Sequence, residues 1–187
     1  RVWSEYLNHT FALNPNSKYI YIIRDLRDII CSFESLLYKY PNITIGDEEH
    51  HFQHEPFEKR MELYCTDGMA NLGRPLNMLP HVMEVAHKHP DNFFILRHED
   101  FNENPRGTFQ SLYQFLGEEY FEHDFDNIPP SDYYEHDTVY RSMVTHKTGT
   151  KLRKLEPRWP KVMTPEQSQL VIQHNIQYYK TFYPEFV

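Results

Sequence analysis

An α/β fold with a parallel sheet is predicted by three features of this sequence. Two runs, KYIYIIR (18–24) and NFFILRHEDF (92–101), are dense in β-branched and aromatic residues, the pattern of strands buried on both faces of a parallel sheet. Between and after them, apolar residues recur at helical spacing. Strands that alternate with helices favour parallel pairing, because each crossover is long enough to hold a helix. Two strong strands are few for a free-standing sheet of this kind.

The elements follow in order. Val2, Trp3, Tyr6, Leu7, Phe11 and Leu13 lie near helical spacing, and Asn14-Pro15-Asn16-Ser17 makes a turn. After the first strand the period changes at Asp25. Ile29, Ile30, Phe33, Leu36 and Leu37 then predict a helix to about Tyr38, ended by Pro41. Residues 41–56 are polar around GDEEHHFQHEP and are expected to form a loop or a substrate-side insertion. One helix is expected from Pro56 to about Gly68. Another covers 74–90, with Pro75 near its start and Leu76, Leu79, Val82, Met83 and Ala86 on one face. The strand over 92–101 leads to Asn104-Pro105 and a helix over 106–117, stopped by Gly117. Residues 118–150 are irregular and acidic, turning basic in HKTGTKLRKLEPRW (146–159). A last helix runs from Thr164 to about Phe182, its start marked by an N-cap Thr, Pro165 at the first helical position and Gln167. No internal repeat is visible.

Composition narrows the function classes. The 187 residues are enough for one domain that buries about 70% of its unfolded surface. A net charge of −8 argues against nucleic acid or any general polyanion, so a phosphate site has to be local. The aromatic content of 16% shows no spacing that would make a base-stacking platform. Cys31 and Cys65 form no CxxC pair, which favours neither a disulfide framework nor a zinc site and leans towards a reducing, cytoplasmic setting. Two sequons, at Asn8 and Asn42, leave a Golgi lumen open as the alternative. No run reaches the ~18 apolar residues of a membrane span. The chain opens at Arg1 without a Met, as a fragment or a processed chain would.

The string Arg24-Asp25-Leu26 raises the question of a kinase catalytic loop. That loop reads H-R-D-L-x-x-x-N, with Asp as the base and Asn on magnesium. Here Ile23 stands in the His position and Ile30 in the Asn position. The six glycines are too scattered for a Gly-rich phosphate loop. The corner suits a different role. Arg24 emerges at the carboxyl end of a parallel strand, where open α/β sheets bind ligands. A guanidinium there can grip one phosphate with two parallel hydrogen bonds. The helix that starts near Leu26 points its positive end the same way. Ser32, eight residues after Arg24, can offer a hydroxyl to the same anion. The competing reading pairs Arg24 with Asp25 or Asp28, while Arg27 and Asp28 are expected at the surface or the helix end.

KYIYIIRDLRDIICSFES (18–35) resembles the 3′-phosphate-binding segment of the sulfotransferases that use 3′-phosphoadenosine 5′-phosphosulfate (PAPS). In that family K-x-I-x-x-x-R precedes (D/N)-P-(R/K)-D and a Ser. Lys18, Arg24, Asp25, Arg27, Asp28 and Ser32 stand in register, and Leu26 replaces the usual Pro. Downstream, residues 65–117 resemble a later block with a strand ending in (R/Y)-Y-E-D-L, an Asn-Pro and a helix closing on F-L-G. There His98 replaces the usual Tyr. KLRKLEPRWPKVMTPEQ (151–167) resembles the last nucleotide element, a basic segment before a Trp.

The resemblance, over about residues 14–182, implies a P-loop-NTPase-like three-layer fold, a parallel sheet flanked by helices, with residues 1–187 forming the 3′-phosphate-binding half of a sulfotransferase domain. It implies PAPS as co-substrate, adenosine 3′,5′-bisphosphate as product, and in-line transfer of SO₃ to a hydroxyl or amine of a small-molecule or protein acceptor. The nucleotide-binding candidates are Arg24, Ser32, Arg153, Lys154 and Arg158, with Lys151 in the same basic run. The family's P-loop, its Lys and its catalytic base are expected upstream of Arg1, so no catalytic residue is assigned. A non-catalytic module completed by another chain, or by a second copy, is the alternative. A nucleoside kinase of related fold is disfavoured, since no Walker loop is visible. His50, His51 and His54, with Glu48, Glu49 and Glu55, have spacing that could hold a metal but lie in the polar segment, and no metal is assigned. His81, His87 and His89 read as surface residues of a helix and its end.

Overall fold

The computed structural model describes residues 9–40, 54–66, 73–129, 135–136, 145–146 and 149–187. Residues 9–13 are helical, and strand β1 (Tyr19–Ile23) runs into helix α1 (Leu26–Lys39). Helices α2 (Phe57–Thr66) and α3 (Gly73–Lys88) follow, then strand β2 (Phe93–Arg97) and helices α4 (His98–Glu103) and α5 (Pro105–Leu116). A two-residue antiparallel pair joins β3 (Glu135–His136) to β4 (Thr145–His146). Helices α6 (Trp159–Val162), α7 (Pro165–His174) and α8 (Ile176–Phe182) close the chain. The expected features at residues 1–8 and 41–53 fall outside the described residues.

Strands β1 and β2 pair in parallel, with Tyr19 opposite Phe93 and Ile23 opposite Arg97. Side chains alternate between faces along a strand, so Tyr19, Tyr21, Ile23 and Phe93 share one face. That face packs on Phe11, Val82 and Val85, and at its carboxyl end joins the main core of Leu26, Ile30, Met61, Tyr64, Val171 and Tyr179. On the opposite face Phe94 meets Phe115 of α5 with ring centroids 5.4 Å apart. Helices thus lie on both sides of the small sheet, an α/β arrangement.

Three expectations are corrected. The β1 run is not buried on both faces: α5 covers the β2 half of its face, and Ile22 stays 65% exposed. β2 stops at Arg97 rather than continuing to 101, because Glu99 turns back to accept the Asp25 N–H at 2.9 Å and the chain enters α4. The C-terminal helix breaks at Asn175, whose side-chain amide donates to the Val171 carbonyl at 2.8 Å and competes with the helical ladder. The boundary signals in the sequence do act as expected. Thr164 and Gln167 form a reciprocal capping box, and Gly117 ends α5 with φ of 79°, a conformation that costs other residues strain.

Of the two places expected for Arg27, the surface or the helix end, the structure shows the helix end, with the side chain only 2% exposed. Its Nε donates to Asp25 Oδ1 at 2.9 Å and its Nη2 to Asp25 Oδ2 at 2.5 Å. Nη1 donates to Ser168 at 3.2 Å. The guanidinium plane lies between the rings of Trp159, 3.8 Å away, and Phe186, 4.1 Å away. Burial opposes its charge, but Asp25 more than offsets this and holds its proton affinity above the ordinary value. Replacing Arg27 with Ala leaves Asp25 buried without its counter-ion. Urea unfolding should show a loss of about 3–5 kcal/mol, with Arg27→Lys recovering only part because it lacks the planar fork.

Candidate functional site

The candidate site is the corner where β1 ends. Asp25 caps α1 by accepting the Arg27 N–H at 3.0 Å, so the capping carboxylate already uses part of the positive helix end. The Arg24 backbone is held on both sides by one hydroxyl. Tyr178 donates to the Arg24 carbonyl at 2.8 Å and accepts the Arg24 N–H at 3.3 Å. Next to it, Tyr179 donates to Asp25 Oδ1 and Tyr183 to Glu99 Oε2, each at 2.8 Å. Burial pushes the proton affinity of all three phenols upward, so they stay neutral donors.

With its backbone fixed, Arg24 directs its guanidinium away from the core. Nη2 lies 3.5 Å from Asp28 Oδ2, and the side chain is 25% exposed. Its Nε is buried with no hydrogen-bond partner among the described residues. A buried N–H without an acceptor costs free energy, and an anion alongside would satisfy it. Ser32 follows Asp28 by four residues on α1, which puts Asp28 and Ser32 on one helical face, with Ser32 exposed.

The basic segment is pinned to this corner at one point. Asp28 Oδ1 accepts the backbone N–H groups of Arg158 at 2.9 Å and Trp159 at 3.2 Å. Upstream, Asn102 and Leu155 exchange two hydrogen bonds, of 2.7 and 3.0 Å, which lay the segment across α4. The basic candidates separate accordingly. Arg158 belongs to the corner, and its charge reaches Cys31 one turn into α1. Lys154 pairs with Glu103 at 2.6 Å, Lys151 lies 3.9 Å from Asp126, and Arg153 is exposed. Asp28 therefore links the Arg24 side chain and the Arg158 backbone, with Ser32 one turn further along α1 and Lys154 and Arg153 further along the segment.

Other titratable groups are less suited to chemistry. The Cys31 thiol is pushed up to about 11, first by burial and then by Asp28, and burial also raises Cys65 to about 11. Neither is a thiolate at neutral pH. Among the described residues no three His, Cys, Asp or Glu side chains gather as a metal site, and of the 48–55 cluster only His54 and Glu55 are described. No described helix is long and apolar enough to cross a membrane. Sequence reasoning missed the three tyrosines of α8 and its end. Their only signal was Tyr at 178, 179 and 183, a spacing that also suits ordinary core packing.

Comparison with known proteins agrees with the motif reading. The family model described as "Sulfotransferase domain" matches residues 5–180. A flavonol 3-sulfotransferase from Flaveria bidentis is 24% identical over 106 residues, 57% of this chain. The matched part spans 31% of that relative's length.

Asp28 is the link between the corner and the basic segment. Asp28→Ala should speed amide hydrogen exchange at Arg158 and Trp159 by about tenfold or more, while the amides of β1 keep their protection.

Proposed function

The chain belongs to the sulfotransferase domain family, and from that premise we propose that it carries the 3′-phosphate-binding part of a PAPS-dependent sulfotransferase. The wider architecture proposed with it is the P-loop-NTPase-like three-layer fold. One observation carries the reading: Arg24 presents a buried Nε with no partner among the described residues, at the carboxyl end of a parallel strand, where an anion supplies the missing acceptor. The donor's chemistry fits, since a 3′-phosphate is a compact dianion that a guanidinium and a hydroxyl can hold together. When bound, PAPS supplies the activated sulfuryl group at its 5′ end.

The residues of the corner bind and orient. Arg24 forms the charged grip, and the Tyr178 hydroxyl keeps its backbone from turning. Ser32 offers one neutral hydrogen bond from the next turn of α1. Arg158, whose backbone N–H Asp28 accepts, offers a second cation to the same anion. Lys154 and Arg153 extend the basic segment and act more weakly, Lys154 because Glu103 already holds it. The acceptor is a hydroxyl or amine on a small molecule or protein. Catalysis and the sulfuryl end of the donor belong to residues outside this corner.

Adenosine 3′,5′-bisphosphate should stabilise the protein against heat, by about 2.7 kcal/mol at one hundred times its dissociation constant. Arg24→Ala should remove most of that shift. Ser32→Ala should weaken binding by roughly two- to tenfold, the worth of one net hydrogen bond. Equal thermal shifts in wild type and Arg24→Ala would sink the assignment. Sulfuryl transfer from PAPS to a panel of phenols, alcohols and amines separates the enzyme from a nucleotide-binding module, which would bind without turnover.

A further inference from the structure

His98 is the one imidazole at the carboxyl end of the β1–β2 sheet among the described residues. Ile23 stands opposite Arg97 in the parallel register, so Arg24 and His98 are the next residues as both strands leave the sheet. His98 is partly buried at the start of α4. The charges that act on it are Arg24 from the end of β1, Asp28 from α1 and Glu99 from its own helix. The segment crossing α4 carries Lys154, which is paired with Glu103, and Arg158, whose N–H is held by Asp28.

Both nearby carboxylates are already engaged. Glu99 accepts from the Asp25 N–H and the Tyr183 hydroxyl. Asp28 accepts from two backbone N–H groups and faces Arg24. The imidazole therefore has a cation beside it, and the two engaged carboxylates only partly offset that cation and the burial of the ring. Burial, and then Arg24, hold its proton affinity below the ordinary value, and it is neutral at pH 7. An anion seated on the partnerless Arg24 Nε would change both conditions, because it neutralises the cation and supplies an acceptor.

We propose that His98 is a second side-chain ligand of the phosphate held by Arg24, and that it takes up a proton as the phosphate binds. This rests on the phosphate reading of the corner. The sign follows from linkage. A group that binds its proton more tightly in the complex than in the free protein makes binding stronger as pH falls between the two values. The protonated ring then gives the phosphate a charge-assisted hydrogen bond that the neutral ring supplies only weakly. The phosphate's own titration opposes this at low pH, but it is the same for every variant and cancels in a comparison.

The test is calorimetric titration of the full-length protein with adenosine 3′,5′-bisphosphate, in two buffers of different ionisation enthalpy, from pH 6 to 8. Wild type, His98→Gln and Arg24→Ala are compared, with His98→Asn replacing the Gln variant if circular dichroism shows that it does not fold. The expected result is that wild type takes up roughly half a proton or more per nucleotide beyond His98→Gln near pH 7. Its affinity advantage should grow about three- to tenfold from pH 8 to pH 6. A merely structural role for His98 would lower affinity at every pH without changing the proton count. Equal proton uptake in the two proteins, with binding retained and abolished by Arg24→Ala, overturns the role of His98 and leaves the phosphate reading standing. Absence of binding to folded wild type, or undiminished binding to Arg24→Ala, overturns both.

Discussion

The buried ion pair between Asp25 and Arg27 is the constraint on which the corner depends. Taking two charges out of water costs several kcal/mol per ion, so such a pair persists only if its remaining donors and acceptors are met. Here they are met by chain segments far apart in sequence. Asp25 receives Arg27, the Tyr179 hydroxyl and the first turn of α1, while Arg27 also reaches Ser168 and lies between Trp159 and Phe186. The end of β1, the start of α6 and α7, and the C-terminal turn thereby share one polar centre. If any of them moved away, a buried charge would lose a partner.

That centre also decides which arginine faces outward. Arg24 and Arg27 are three residues apart, yet Arg24 keeps a partly exposed side chain while Arg27 is buried. The inward choice is made by Trp159 and Phe186, more than 130 residues away, whose rings accept a flat guanidinium. With Arg27 committed, Arg24 is left with Asp28, at 3.5 Å, and with an unmet Nε. Tyr178 fixes the backbone from which Arg24 projects, so its direction is set by the C-terminal helix rather than by the strand that carries it.

This explains how much could be read in advance. β1, α1, the capped starts of α5 and α7 and the end of α5 were legible because periodicity, Asn104, Thr164 and Gly117 act within a few residues. The end of β2 was not, because HEDF reads as strand until Glu99 finds the Asp25 N–H. The break at Asn175 was hidden for a similar reason, since its side chain takes the Val171 carbonyl only once the helix exists. At the site, Arg24, Ser32 and Arg158 could be proposed from spacing and resemblance. The supporting tyrosines could not, because a buried Tyr in a core and a buried Tyr holding a loop leave the same letter in the sequence. Nor could spacing separate Arg158 from Lys154, whose difference lies in what Asp28 and Glu103 capture.

The electrostatics of the corner follow from this local capture rather than from the charge of the chain. At ordinary salt the Debye length is about 10 Å, so most of the carboxylates behind a net charge of −8 are screened from Arg24. Several surface cations are also matched nearby, Lys154 by Glu103, Arg97 by Glu185 and Arg106 by Glu122. Asp28 is the exception at the corner, and it is divided, with one oxygen turned to the Arg158 and Trp159 N–H groups and the other to Arg24. Its hold on Arg24 is correspondingly loose. A carboxylate engaged in this way orients the guanidinium without saturating it, which is how an acidic chain can keep one half-buried cation available to an anion.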